Sequence, residues 1–488
     1  KETRYDGAVK TYSYNSDNQL VKTVDFNGAE TVYTYSNKDL TSIKYANGTT
    51  VKYEYDSHHR IVKETDANKN VTKFEYTGAW LSSTINPNGG INHYYYNSHG
   101  QVVSIVDALG QTTRFVYDSA GRKTQQQTAD GAITKFSYDP AGNTVSITDA
   151  NGNVFTFEYD ANGNVTTAPD PFKNETLYTY DGLNNRLTET DPSGKTTTYS
   201  YDCFSNVSTV TNADGKTTTY EYDHANNLIK IIEPKGNTTT LDYDLRFNTV
   251  SKITDAENGI QSYTFDEVGN IVKAVATDAT ATEYVYDSMN RVVSTTDAAG
   301  LKTTYTYDAN DNLIKTEDNT GRTTSYTYDN MDNVLSVVLP NGAVLSYEYD
   351  LLGRQITSTD ALGGKTTYSY NALSQLVSST DELNRTIKYE YDAMGNMLRY
   401  IAANEGVMSY EYDSLDRVTK VTDVLGNYSA YTYDKSENLA SLTDVYGNAT
   451  TYEYNGRNLV TKVKDALGNA YTFVYDDNGN QTEIIAPD

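Results

Sequence analysis

Aspartate, asparagine, histidine and a single cysteine are the residues of this chain whose chemistry could reach beyond scaffolding. Asp392 and Gly395, in the stretch YEYDAMGNM from Tyr389 to Met397, show the commonest arrangement: a carboxylate, two variable residues, a glycine and an amide. Such a carboxylate could take one of three roles. A converging pair could act as general acid and base on a glycosidic bond. An Asp- and Asn-rich loop could offer oxygen ligands to Ca²⁺. A lone Asp could close an Asx-turn by accepting a backbone N–H two residues on. The first role needs one convergence, yet the pattern returns as YEYDSLDRV from Tyr410 and YTYDKSENL from Tyr431. Acidic groups repeated in every unit argue against a polysaccharide-cleaving enzyme. The loops match neither the EF-hand nor the glycine-rich calcium nonapeptide, so the turn is the expected role and no cofactor or metal is predicted.

The remaining candidates are weaker. His58 and His99 each lie three residues after a repeated tyrosine, and His59 adjoins the first. A metal centre needs three or four converging ligands, so these read as turn histidines facing solvent. Cys203, in YDCFSN, has no recognisable base nearby, and one cysteine excludes both an internal disulfide framework and a Cys-ligated zinc cluster. Trp80 falls in a shortened turn and is expected to be a packed or exposed loop residue more than a ligand platform. No G-x-S-x-G, P-loop or dinucleotide fingerprint occurs.

What must position these residues is a repeat. Taking the second aromatic of each Y-x-Y as the anchor gives 23 copies from Tyr14 to Tyr475, all tyrosine except Phe265. Of the 22 intervals, 19 are 21 residues, two are 20 and one is 22. In GKTTTYEYD (Gly215 to Asp223), Thr218, Tyr220 and Tyr222 share one face of an extended strand and Thr217, Thr219 and Glu221 the other. Asp follows the anchor in 17 copies, and Gly, Asn or Asp stands four residues after it in 17, the types that best tolerate φ > 0. This predicts a tight reversal, the first turn of each copy. A second strand follows, as in Arg417 to Asp423, where Val418 and Val421 are three apart; either a bulge or a shared-face strand explains the spacing. A second turn, such as DVLGN with Gly426, completes the copy. The 20-residue intervals lose a residue in the first turn (YSNKDL, YTGAWL), and the 22-residue interval is expected to gain one around Asp255 to Gly259.

Composition agrees with an all-β chain and excludes some functions. Tyrosine accounts for 46 of the 488 residues, and 39 of them occupy the two Y-x-Y positions, so packing is their first role and ligand contact an occasional one. Each hydroxyl needs a partner when buried. The formal charge of −26 repels nucleic acid and anionic lipid. No apolar run approaches the ~18 residues that span a membrane, and no N-terminal signal pattern occurs. The first residues read as the second half of a copy, which suggests a segment of a longer protein.

The pattern Y-x-Y-D-x-x-G-N/R-x-V/L, followed by T-D-x-x-G-x-x-T, resembles the YD repeat of the Rhs proteins along the whole chain. Clean copies are YTYDANDNL from Tyr305, YEYDLLGRQ from Tyr347 and YSYDCFSNV from Tyr199. That family takes in bacterial polymorphic toxins, shell components of insecticidal toxin complexes, wall-associated proteins and teneurins. The resemblance implies one continuous antiparallel β-sheet spiralling into a hollow shell or tube, which in toxin members encloses a C-terminal toxin. Physics points the same way. About 46 strands at ~4.8 Å spacing make a ribbon on the order of 220 Å long, and a twisted sheet of that length coils or splits.

Toxin members also carry a self-cleaving aspartyl motif of two D-P-x-G elements. Here DPAG (Asp139 to Gly142) is the first turn of a copy and DPSG (Asp191 to Gly194) sits at a second turn, so both read as turn residues. The expectation is therefore a single array over 1–488, non-catalytic, secreted or at the cell surface, that encapsulates a C-terminal toxin or other cargo of the same polypeptide. The alternative is an extracellular adhesin or structural fibre that binds glycans or cell-surface receptors; self-association is open to either. The anchors expected to define the array include Tyr201, Tyr222, Tyr286, Tyr307, Tyr328, Tyr349, Tyr391, Tyr412 and Tyr433, with Asp392, Gly395 and Gly426 in the turns.

Overall fold

Short runs of β-branched and aromatic residues, each ended by Asp, Asn or Gly, fold as strands and tight turns in every copy. The structure is a computed structural model that describes residues 1–4 and 6–487. No helix occurs among the described residues, so none is long and apolar enough to cross a membrane.

One copy stands for all. Strand Val407–Tyr412 pairs antiparallel with Val418–Thr422, Tyr410 facing Val421 and Glu411 facing Lys420. The register then shifts, so that Tyr412 faces Val418 and Thr419 is the extra residue of a β-bulge. The bulge is what brings Val418 and Val421 onto the face that carries Tyr410 and Tyr412. It recurs at the anchor aromatic of neighbouring copies, as at Tyr391 and Tyr433. The two short intervals close as two-residue turns, Ser36 pairing Asp39 and Thr77 pairing Trp80.

The insertion lies elsewhere than the sequence suggested. Asp255 to Phe265 keeps the usual spacing, and the additional residue is in the first turn after Tyr243. There Asn248, not the residue before it, takes the positive φ (53°), and its N–H reaches back four residues to the Asp244 carbonyl at 2.8 Å. Other first turns close over three residues, as from Asp416 to Asp413.

Strands follow one another in chain order within two antiparallel sheets, one of 16 strands (Glu2–Thr3 to Val154–Thr156) and one of 32 (Glu158–Tyr159 to Gln481–Ile485). Neither closes on itself as a barrel. The division falls at Phe157, where one uninterrupted sheet was expected, and proline is the cause. Strand Ile133–Tyr138 pairs as far as Lys135 with Thr148. One copy later the position of Thr148 is taken by Pro169, which has no N–H to close the ladder. The Phe157 N–H still bonds the Val145 carbonyl at 3.0 Å.

By contacts the chain forms two compact units, Lys1–Thr113 with Leu241–Tyr368 and Arg114–Thr240 with Ser369–Asp488. Little is fully buried in either. Phe265 is the only buried apolar residue among those described, with Ser83, Asp149, Ser294 and Thr357 the buried polar ones. Most strand side chains are half-buried against neighbours on the same sheet face.

Candidate functional site

The anchor tyrosines build a ladder of hydroxyl groups. Tyr201, Tyr222, Tyr286, Tyr307 and Tyr328 donate to the carbonyls of Arg186, Val207, Ile271, Val292 and Leu313. Tyr349, Tyr391, Tyr412 and Tyr433 donate to Val334, Leu376, Met397 and Val418, all nine bonds spanning 2.7–3.0 Å and fifteen residues. The bulge explains the acceptor. Pairing of Val418–Thr422 with the following strand starts only at Lys420, so the Val418 carbonyl lacks a strand partner on that side and the hydroxyl of the next copy supplies one. Burial pushes the hydroxyl pKa of all nine upward. Where the first turn ends in arginine, its guanidinium covers the next anchor ring, Arg417 over Tyr433 at 4.5 Å and Arg291 over Tyr307 at 4.8 Å.

The turn carboxylates are saturated acceptors. Asp392 Oδ1 accepts the N–H groups of Met394 (3.0 Å) and Asn396 (2.8 Å), while Oδ2 accepts Asn396 Nδ2 (3.0 Å). Gly395 permits the reversal at φ 98° and Gly426 does so in its second turn at 86°. Burial would raise the Asp392 pKa, but the amides of Asn396 and Asn151 outweigh it and hold the carboxyl below its usual range. The Arg60 guanidinium brings Asp56 down to about 2. A carboxyl held ionised in this way is a poor proton donor. Asp139 is one of them, lowered chiefly by the Asn143 side chain, and Asp191 accepts the N–H groups of Ser193 and Lys195.

The other candidates stand apart from one another. His58, His99 and His224 are exposed in turns, His93 is exposed on a strand, and His59 Nδ1 lies 2.9 Å from Asp39. Cys203 is exposed. Trp80 packs against Tyr96, with ring centroids 5.3 Å apart, and closes over Gly100. Among the described residues no three His, Cys, Asp or Glu side chains group as metal ligands.

The sequence reading missed a set of contacts between distant turns. Inside the first unit, Asn68 Nδ2 donates to Asp308 (2.9 Å), Asn310 Nδ2 donates back to Asp66 (2.7 Å), and Asn330 Nδ2 donates to the Pro87 carbonyl (2.7 Å). Inside the second, Asn151 donates to Asp392, Ser436 Oγ to Asp191 and Ser193, and Arg457 to Asp214. In each unit these bonds join a second turn to a first turn 240–245 residues later, and a few, such as Lys195 to Asn458, reach one copy further at 263. A constant offset means that two stretches of ribbon lie rim to rim in register. The signal available in the sequence was the Asn or Ser at the third position of the turns, which reads only as a turn former until a partner is known.

A family model described as "RHS Repeat" matches eleven segments between residues 33 and 488 that together cover more than half of the chain, among them 33–71, 96–133, 265–302 and 454–488. A second, "Teneurin YD-shell", matches 156–274. No curated protein matches. Among solved structures the chain is similar to TcdB2-TccC3, with 13% identity and a TM-score of 0.61 over 98% of this chain and 37% of that one. It is also similar to TcdB2-TccC3-Cdc42, with 14% identity and a TM-score of 0.57 over 96% and 28%. At these identities the likeness is one of fold, and the chain spans about a third of the length of the structures it matches.

Proposed function

Because this chain belongs to the RHS repeat family, we propose that it is a wall: a non-catalytic shell segment of a secreted or surface protein that encloses a C-terminal toxin or other cargo of the same polypeptide. The observation that carries this reading is the unbroken array. The anchor tyrosines described above spend their hydroxyls on the ladder, and the turn carboxylates spend their oxygens on the turns. Rim-to-rim bonding at a fixed offset supports it, since a ribbon meant to contain a polypeptide needs its adjacent stretches sealed. The likeness to the TcdB2-TccC3 fold is further support.

The test is limited proteolysis of the full-length product of the gene that encodes this chain. The reading expects the region after the repeats to survive in the native protein and to be digested once the repeats are unfolded. Digestion of that region in the native protein as fast as in the isolated fragment would sink it, and a glycan-binding, extended particle would then favour the adhesin alternative.

A further inference from the structure

The seam inside the first unit is stitched unevenly. A recurring stitch is a carboxylate at the first position of a second turn that accepts from the third position of a first turn. Asn310 Nδ2 donates in this way to Asp66 (2.7 Å), as do Ser436 Oγ to Asp191 (2.6 Å) and Asn478 Nδ2 to Glu233 (2.7 Å) in the second unit. One copy before Asp66 both halves of the stitch are lost. Tyr45 stands in place of the carboxylate and Met289 in place of the donor, while Asn47 Oδ1 accepts the Thr49 N–H of its own turn (3.0 Å). A copy earlier still, Val268 replaces the donor. Among the described residues no hydrogen bond joins the second turns at 25–29 and 45–49 to the first turns at 266–270 and 287–291. Arg4 on Glu267 and Asn310 on Asp66 hold the seam to either side. Space opens at the unstitched place on both faces of the ribbon. A cavity of about 510 Å³ lies on the exposed strand face, against Glu30, Val32 and Lys44. Another of about 440 Å³ lies on the tyrosine face, against Tyr12, Thr31 and Tyr33. The same four residues, Ala29, Tyr45, Ala46 and Ser288, line both.

We propose that this gap is a window through the wall, which lets inorganic ions and small hydrophilic molecules cross from one face to the other and holds polypeptide back. The inference rests on the shell reading, since only an enclosed space needs a window. The lining suits such traffic. Asn27 and Ser288 stand at one mouth with the oppositely charged Glu30 and Lys44, and Asn290 stands at the other with Asp25 and Lys10. Water and ions of either sign therefore find partners on both sides. Each cavity has the size that holds a small molecule. The physical need is counterion exchange. Both faces carry ionised side chains in a chain of formal charge −26, so an enclosed volume must trade ions with the medium whenever salt or pH changes.

Thr324 and Thr327 lie on opposite faces of strand Thr323–Tyr328, Thr324 on the face of the tyrosines. The test uses the full-length product of the gene with Thr324→Cys or Thr327→Cys. Mass spectrometry follows the peptide carrying the new cysteine during reaction with methyl methanethiosulfonate, or with a maleimide on a long polyethylene glycol chain. At the outward face both reagents are expected to react, and at the enclosed face only the small one. Restoring the stitch with Tyr45→Asp and Met289→Asn together slows the small reagent at the enclosed face roughly tenfold or more. Filling the gap with Ala46→Trp does the same. In both variants the outward cysteine keeps its rate, which shows that the sheet is intact. An enclosed cysteine that neither reagent reaches, or that the small reagent reaches equally fast in both sealed variants, overturns the window and leaves the wall standing. Polymer reacting equally at both faces overturns the wall, and the window with it.

Discussion

The hydroxyl of Tyr433 donates to the carbonyl of Val418 at 2.8 Å, tying its copy to the bulge of the one before it. The ring also lies under the Arg417 guanidinium. One residue type thus supplies the apolar face, the hydrogen bond and the cation–π surface, which explains why leucine does not serve at the anchor. Tyr433→Phe keeps the ring and removes the bond. It is expected to cost about 1 kcal/mol and to speed amide exchange in the Val418–Thr422 and Tyr428–Tyr433 hairpin while distant copies keep their protection.

Gly395 and Gly426 separate backbone strain from crowding. Both have φ near 90°, but a Cβ at 426 meets nothing within 4 Å, whereas one at 395 approaches Gln375 Nε2 to 2.8 Å. Gly426→Ala is expected to lose about 1 kcal/mol from the left-handed conformation alone. Gly395→Ala loses more by the amount needed to move the Gln375 side chain, and pairing it with Gln375→Ala recovers that excess in urea denaturation.

Asn68 and Asn310 hold the rims of the first unit reciprocally, and the Asn68 N–H donates to Asn310 Oδ1 at 2.9 Å. A double-mutant cycle of Asn68→Ala and Asn310→Ala should give a coupling of roughly 0.5–3 kcal/mol. A coupling of zero in thermal unfolding would mean that this seam adds nothing.

Pro169→Thr restores the amide that the ladder lacks next to Phe157. The hydrogen bond gained, about 1 kcal/mol, is partly offset by the freer unfolded chain. The measurable sign is slow exchange of the new amide at 169, since a joined ladder protects it and a persisting break leaves it fast.

Two pH limits follow from the shifted groups. Asp56 and Asp476, at about 2, lie below the unfolded value of about 3.9, so their stabilisation is complete above that value and is lost as pH falls from about 4 toward 2. The anchor hydroxyls of Tyr412 and Tyr433 lie above the unfolded value of about 10, so their contribution is complete below it and is lost as pH rises through the folded values. Acid should loosen turns first, seen as faster turn amide exchange. Alkali should unfold the sheet together with the rise of phenolate absorbance.

Much of this was legible in the residues because the repeat is local. Alternation around Tyr220 and Tyr222 marks strands, and Asp-x-x-Gly around Asp392 marks turns, since both depend on neighbours a few positions away. Val418 and Val421, three apart, announced an irregularity whose form only the register with Tyr412 resolved. The inserted residue beside Asn248 was misplaced because two adjacent turns of similar composition absorb an extra residue equally well on paper.

By itself the sequence determined an all-β array of YD repeats, its period and its turns, because strand alternation and turn chemistry act over a handful of bonds. The tertiary structure alone decided which carbonyl each tyrosine reaches, that Pro169 parts the sheets, and that Asn68 meets Asp308 across 240 residues. Those outcomes depend on twist and bulging accumulated over many strands, a sum that no single 21-residue copy contains.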